Sequence, residues 1–393
     1  MEVVDHTTMT ISAGCKLATN LISLLDGDKN ALISPLGVQL ALALVLSGSA
    51  AGETANQLLT AMGFSSELDR EQVVSAMKDL VADIKHSEKA ALSLENKLWV
   101  DTTLPLDPAF TAGLAGLAAR AWAANCAALD REQVELSAFL AKINRPREPP
   151  RAFTETNGLA VINGAWFKGE WENKFPRENT KAAPFHQLGS DDVSKAEDVQ
   201  MMCHPSASVA HGTFEHHAMV SLPHENSLLR LLVLLPHVNS ADGLAAVRAS
   251  LIRLPEQYKQ LVEYRRKWVE LQLPKFQVSI EQELSQVLKS IGVAVPFAQE
   301  SADFTRITAQ DQSADPERSL LHMGKVVHKA RLMVDEAGIN IHDVPPAAVA
   351  SGDTFSLPAA LRFVVDRPFV FVLYHAQFHC PVLVGQVVQP TTL

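Results

Sequence analysis

The chain has 393 residues, of which 47% are hydrophobic and 20% charged, so there is material for a large core and no charge excess typical of an unfolded chain. The formal net charge of -10, from 34 basic and 44 acidic residues, argues against general attraction to nucleic acid or to an anionic membrane. The four cysteines, Cys15, Cys126, Cys203 and Cys380, form no C-x-x-C pair; they exclude a disulfide scaffold and read as reduced thiols.

Residues 1–10 carry Glu2 and Asp5 and lack both a basic lead and an apolar run, so no secretory signal is read. A cytoplasmic location is expected, with export by another route left open. Residues 8–25 place apolar side chains at helical spacing and stop at Asp26-Gly27-Asp28. Ser34-Pro35 opens a stretch, 36–46, that is apolar nearly all round and contains Gln39. It is too short to span a membrane and reads as a buried helix. Gly52-Glu53-Thr54 begins a further helix ending near Gly63, and 70–86 is amphipathic, with Val73, Met77, Leu80, Val81 and Ile84 on one face.

Residues 91–100 read as a strand and 105–124 as an Ala-rich helix. Residues 145–151, Arg-Pro-Arg-Glu-Pro-Pro-Arg, form the clearest loop. Strands are expected at 228–235, 269–273, 326–334 and 363–374, and a helix at 281–291 stopped by Gly292. Between the last two strands, 335–361 is rich in Gly, Ala, Pro and Ser and shows no sustained period. A loop of this length inside a compact fold is uncommon and usually functional.

Several phrases, in order, resemble the serpin family. They are Asn30 with Ser34-Pro35-Leu36, Gly52-Glu53-Thr54, the run from Asn163-Gly164 to Phe167-Lys168-Gly169-Glu170-Trp171, and Thr180 with Pro184-Phe185-His186. Val199-Gln200-Met201-Met202, Leu273-Pro274-Lys275-Phe276 and Ala302-Asp303-Phe304 follow. Val327-His328-Lys329-Ala330, Asp335-Glu336-Ala337-Gly338, Phe363 to Phe369 and Gly385 to Pro390 close the series. The resemblance implies an α+β fold in one domain over 1–393, with three β-sheets, eight or nine helices and an exposed reactive-centre loop at about 338–362. It also implies a monomer with no cofactor and no catalytic residue of its own. Its partner would be a serine or cysteine protease that attacks the loop; the cut loop then inserts into the main sheet as an extra strand.

The residues of this loop argue against efficient insertion. Glu336 and Gly338 match the family's hinge, but where inhibitors carry small residues this chain has Ile339-Asn340-Ile341-His342-Asp343-Val344-Pro345-Pro346. Strand side chains alternate, so if Ile339 turns inward, Ile341, Asp343 and Pro345 do too. A lone buried Asp costs several kcal/mol. Proline lacks an N–H and belongs at edges or bulges. Two bulky Ile residues overpack a close layer at about 1–3 kcal/mol. Insertion must outrun hydrolysis of the acyl-enzyme, and about 3 kcal/mol of extra barrier slows it about a hundredfold. A non-inhibitory or weakly inhibitory member is therefore expected; the alternative is a working suicide-substrate inhibitor.

The resemblance implies a bait bond near Gly352-Asp353 when counted from Gly338, or near Thr354-Phe355 when counted back from Pro368, so Gly352, Asp353, Thr354, Phe355, Ser356 and Leu357 are the candidates. Cleavage at Phe355 or Leu357 would suit a chymotrypsin-like enzyme. In the family, two serines, an Asn and a His form a hydrogen-bonded shutter beneath the main sheet. Ser34, Asn163 and His328 match three of these, while Gly37 replaces the second serine and is expected to leave a partner short of a hydroxyl. The segment 136–153 lacks the family's Thr-x-Gly-Lys pattern. His211, His216 and His217 lack metal-ligand spacing and read as solvent-facing, so no metal is expected. Cys203-His204 reads as incidental rather than nucleophilic. The arginines at 145, 147 and 151, with Arg265-Arg266-Lys267, read as solvated charge.

Overall fold

The computed structural model describes residues 6–88, 92–101, 105–124, 158–263, 266–308, 321–340 and 361–391. Eight α-helices surround the sheets among the described residues. The helix Pro35–Gly48 starts where its sequence dictates. Ser34 is the N-cap, its Oγ accepts from the Gly37 N–H at 3.0 Å, and Pro35 occupies the first turn, where no N–H is needed. All its residues but Ser47 are buried, as expected of a helix with no polar face.

The central sheet runs in the order Ala119–Ala124, Leu92–Asp101, Gly158–Phe167, His322–Val334, then the short strands Gly338–Asn340 and Gly169–Glu170; Phe276–Glu283 also pairs with His322–Val334. The 17-residue strand Glu197–Thr213 runs through a second, nine-stranded sheet. Its first part pairs with Lys181–Phe185 and Lys267–Pro274, and the latter takes Leu361–Val364 as a parallel neighbour. Its end pairs with His217–Pro223, which leads through Leu229–Pro236, Phe369–His375 and Cys380–Val387 to Ala31–Ile33. Asn30 ties this last sheet to the chain's end: its Oδ1 accepts from the N–H groups of Val388 and Gln389.

Two expected helices differ. Over 105–124 only Pro108–Gly113 is α-helical; a 3-10 turn, Ala115–Leu117, follows, and Ala119–Ala124 is a strand parallel to Leu92–Asp101. Gly113 and Gly116 weaken the helix, and Ala118 turns the chain in the left-handed region at φ 51°. Over 281–291 the helix is only Ser285–Ser290, because Glu281 to Glu283 continue the strand Phe276–Glu283 against His322–Val334. The strand expected at 363–374 is two, Leu361–Val364 and Phe369–His375, broken at Asp366-Arg367-Pro368. No helix among the described residues is long and apolar enough to cross a membrane.

Candidate functional site

At the upper end of the central sheet, His322–Val334 reverses through a tight turn. The Asp335 N–H donates to the Gly338 carbonyl at 3.0 Å, and Asp335 Oδ1 accepts from the N–H groups of Ala337 and Gly338. Trp171 clamps this turn: its backbone N–H donates to the Ala337 carbonyl and its indole Nε1–H to the Asp335 carbonyl, each at 2.9 Å. Glu336 is buried. It accepts from Thr180 Oγ1 at 2.9 Å and pairs with Lys275 Nζ at 3.1 Å. Burial alone would raise the Glu336 carboxyl, but bonds from the backbone, Lys275 and Thr180 outweigh it and hold it below the usual carboxylate range.

Beyond the turn, Gly338–Asn340 lies between two strands. Ile339 faces Val334 on one side and Gly169 on the other. Ile339 is 1% exposed. Glycine at 338 answers to close approach: a Cβ there would stand 2.0 Å from the Gly169 carbonyl oxygen. Further down, Gly158–Phe167 and His322–Val334 pair directly in parallel, from His322↔Gly158 to Ala330↔Ala165. Ile341, Asp343, Pro345, Pro346 and all of Gly352, Asp353, Thr354, Phe355, Ser356 and Leu357 lie outside the described residues. The chain reappears at Leu361–Val364, fixed beside Lys267–Pro274, with Arg362 Nε donating to Glu270 Oε1 at 3.0 Å.

The structure brings Ser34, Gly37, Asn163 and His328 together. The Ser34 N–H donates to His328 Nε2 at 3.0 Å, so Nε2 is unprotonated and Nδ1 carries the proton, donated to Asn163 Oδ1 at 2.8 Å. Asn163 Nδ2 donates to Asn96 Oδ1 at 2.8 Å, and Ser34 Oγ donates to the Val382 carbonyl at 2.7 Å. Burial pushes the His328 imidazole down to about 3, so it stays neutral. With no hydroxyl at Gly37, Asn163 is bonded by other groups of this network. A Cβ on Gly37 would stand 2.4 Å from Asn163 Oδ1; the glycine makes room for the amide, whose bonds are met by His328 and Asn96.

Asn96 was not singled out by the sequence reading. It stands directly opposite Asn163, which in turn stands beside His328, so the three form one polar row across three strands. Its signal was available: Leu94, Leu98 and Val100 are buried on the same alternating face, where an Asn needs a partner. Thr180 and Lys275, which entered only as parts of family-like phrases, are the two side chains that hold Glu336.

The other groups singled out in the sequence are placed as follows among the described residues. Burial and Glu270 raise the Cys203 thiol, while His204 Nδ1 accepts from the Ser206 N–H. Contrary to its solvent-facing reading, His217 is fully buried, stacked on Phe214 and pushed down to about 4 by burial. His211 meets the edge of Phe363, and Arg266 pairs with Glu172. The arginines at 145, 147, 151 and 265, and the segment 136–153, lie outside the described residues.

Comparison with known proteins places nearly the whole chain in one family. The family model described as Serpin (serine protease inhibitor) matches residues 12–390. Serpin-Z4 of Hordeum vulgare is 28% identical over 388 residues, covering 92% of this chain and 90% of its own. Serine protease inhibitor 42Dd of Drosophila melanogaster is 27% identical, with 93% and 94% covered. The structure of human thyroxine-binding globulin complexed with thyroxine superposes with a TM-score of 0.81 at 19% identity, covering 98% of this chain and 100% of that one. The chain belongs to the serpin family.

Proposed function

We propose that this protein is a single-domain serpin whose reactive-centre loop is exposed to a protease but inserts slowly or incompletely, so that it is a non-inhibitory or weakly inhibitory, non-catalytic member. The observation that carries this reading is the register at the hinge. Continuing the Val334↔Ile339 and Met333↔Asn340 pairs residue by residue sets Ile341 beside Leu332, Asp343 beside Ala330 and Pro345 beside His328. Ala330 pairs across the sheet with Ala165, and both are fully buried. Asp343 would thus arrive between two alanines with no cation or donor at either flanking position. Successive N–H groups of a strand point to opposite sides, so Pro345 and Pro346 would each remove a ladder bond, one toward each neighbour. The existing pairs between Gly158–Phe167 and His322–Val334 must also break first.

The alternative, a suicide-substrate inhibitor of a serine or cysteine protease, is favoured by one feature: Gly338–Asn340 already occupies the top of the slot. Incubation with chymotrypsin-, trypsin- and elastase-like proteases separates the two. Loop cleavage without an SDS-resistant complex supports the proposal. A stoichiometric covalent complex overturns it in favour of the inhibitor.

A further inference from the structure

A cavity of about 250 Å³ lies far in sequence from the hinge, between the start of the helix Arg70–Glu88, the end of Pro35–Gly48, the short helix Pro108–Gly113 and Arg306. Its lining joins three cations, Arg70, Lys78 and Arg306, with one carboxylate, Glu71, and an apolar wall that includes Val74 and Phe110. Such a concentration of positive charge is unexpected on a chain of net charge -10.

The cations are organised rather than scattered. Glu71 Oε1 accepts from both Arg306 Nη1 at 3.0 Å and Arg70 Nη2 at 3.1 Å, so one carboxylate oxygen orients two guanidinium groups. The bonds from Arg306 and then Arg70 hold the Glu71 carboxyl below its ordinary range, which keeps the clamp charged. The Arg70 side chain is only 11% exposed, and its Nη1 is buried with no hydrogen-bond partner. A guanidinium so enclosed and short of acceptors favours negative charge close by. Lys78 is half-buried, and its ammonium lies 3.7 Å from where a Cβ on Gly113 would be; among the described residues no carboxylate pairs with it.

We propose that this cavity binds a small organic phosphate or sulfate monoester. The anionic head group sits on Arg70, Lys78 and Arg306, and the organic part lies against Phe110 and Val74. Two oriented guanidiniums suit the forked oxygens of a tetrahedral anion, and the ammonium supplies a further point charge. The mixed lining distinguishes this site from a surface patch for polyanions, because the apolar wall rewards a ligand with carbon attached.

Calorimetric titration of the full chain with phenyl phosphate tests the proposal, with phenol and inorganic phosphate as the two halves of the probe. Saturable binding of phenyl phosphate is expected, tighter than either half, and weakened about tenfold in each of Lys78→Gln and Arg306→Gln. Arg306 is exposed and Lys78 half-buried, and thermal melts check that the variants fold. No saturable binding overturns the proposal. So does binding that both folded variants retain unchanged. Inorganic phosphate binding as tightly as phenyl phosphate also overturns it, because the apolar wall would then contribute nothing.

Discussion

Gly37 and Asn163 are fitted to one another: the space a Cβ would take on the glycine is filled by the amide oxygen, 2.4 Å from that position. Restoring the family's serine with Gly37→Ser is therefore expected to destabilise this chain, where a reading of motifs alone expects the opposite. Displacing Asn163 would strain its bonds to His328 and Asn96. The cost is about 1–3 kcal/mol by overpacking, measured as a lower urea midpoint at unchanged slope. Equal or greater stability in the serine variant would contradict this account.

His328 makes the same region sensitive to acid. Its folded value, about 3, lies below the ordinary histidine value near 6.5, so below about pH 6.5 the unfolded chain binds a proton that the folded chain refuses. Stability is complete above that pH and is lost as the pH falls toward the folded value; at pH 5 the loss is about 2 kcal/mol. Buried His217, at about 4, adds a loss of the same sign. In His328→Asn the fall in melting temperature between pH 7 and pH 5 should shrink relative to the parent. An unchanged fall would assign the effect elsewhere.

Glu336 links Thr180 and Lys275 to the turn that begins the loop. Glu336→Ala leaves the Lys275 ammonium, which is partly buried, without its counter-charge and frees the turn. A destabilisation of about 1–3 kcal/mol is expected, together with faster proteolysis after Val334. Because the folded carboxyl is held low, its contribution is present above the ordinary carboxylate range and disappears as the pH falls through the depressed value. Lys275→Met should reproduce the effect, since it breaks the same pair from the other side.

If Asp343, Pro345 and Pro346 are what oppose insertion, removing them should restore it. In the triple variant Asp343→Ala, Pro345→Ala, Pro346→Ala, cleavage of the loop is expected to raise the melting temperature well above that of the uncut protein. The parent should show little rise. A large rise in the parent would show that the original residues insert after all.

Residues with a local signal were legible in the sequence. The helix Pro35–Gly48 followed from its cap, its proline and its lack of a polar face. The helix expected at 281–291 begins too early, because Glu281 to Glu283 continue the strand Phe276–Glu283; pairing with His322–Val334 overrides local propensity there. At the hinge, Glu336, Gly338 and Ile339 were identifiable as positions, but their partners come from Gly169, Trp171, Thr180 and Lys275, more than a hundred residues of sequence before or some sixty apart. The polar row was half legible. Ser34, Asn163 and His328 belonged to recognisable phrases, while the fit of Gly37 depends on an approach between a helix and a sheet that no local pattern encodes.

The segment after the loop, Leu361–Val364, is anchored beside Lys267–Pro274, and the strands that follow, Phe369–His375 and Cys380–Val387, are buried along their whole length. Scission anywhere between Asn340 and Leu361 therefore severs the polypeptide without releasing its tail. The two pieces should travel as one particle through a sizing column and part only in denaturant. A nicked molecule would remain intact to any partner that reads the rest of its surface, and would differ from the uncut form only between Asn340 and Leu361.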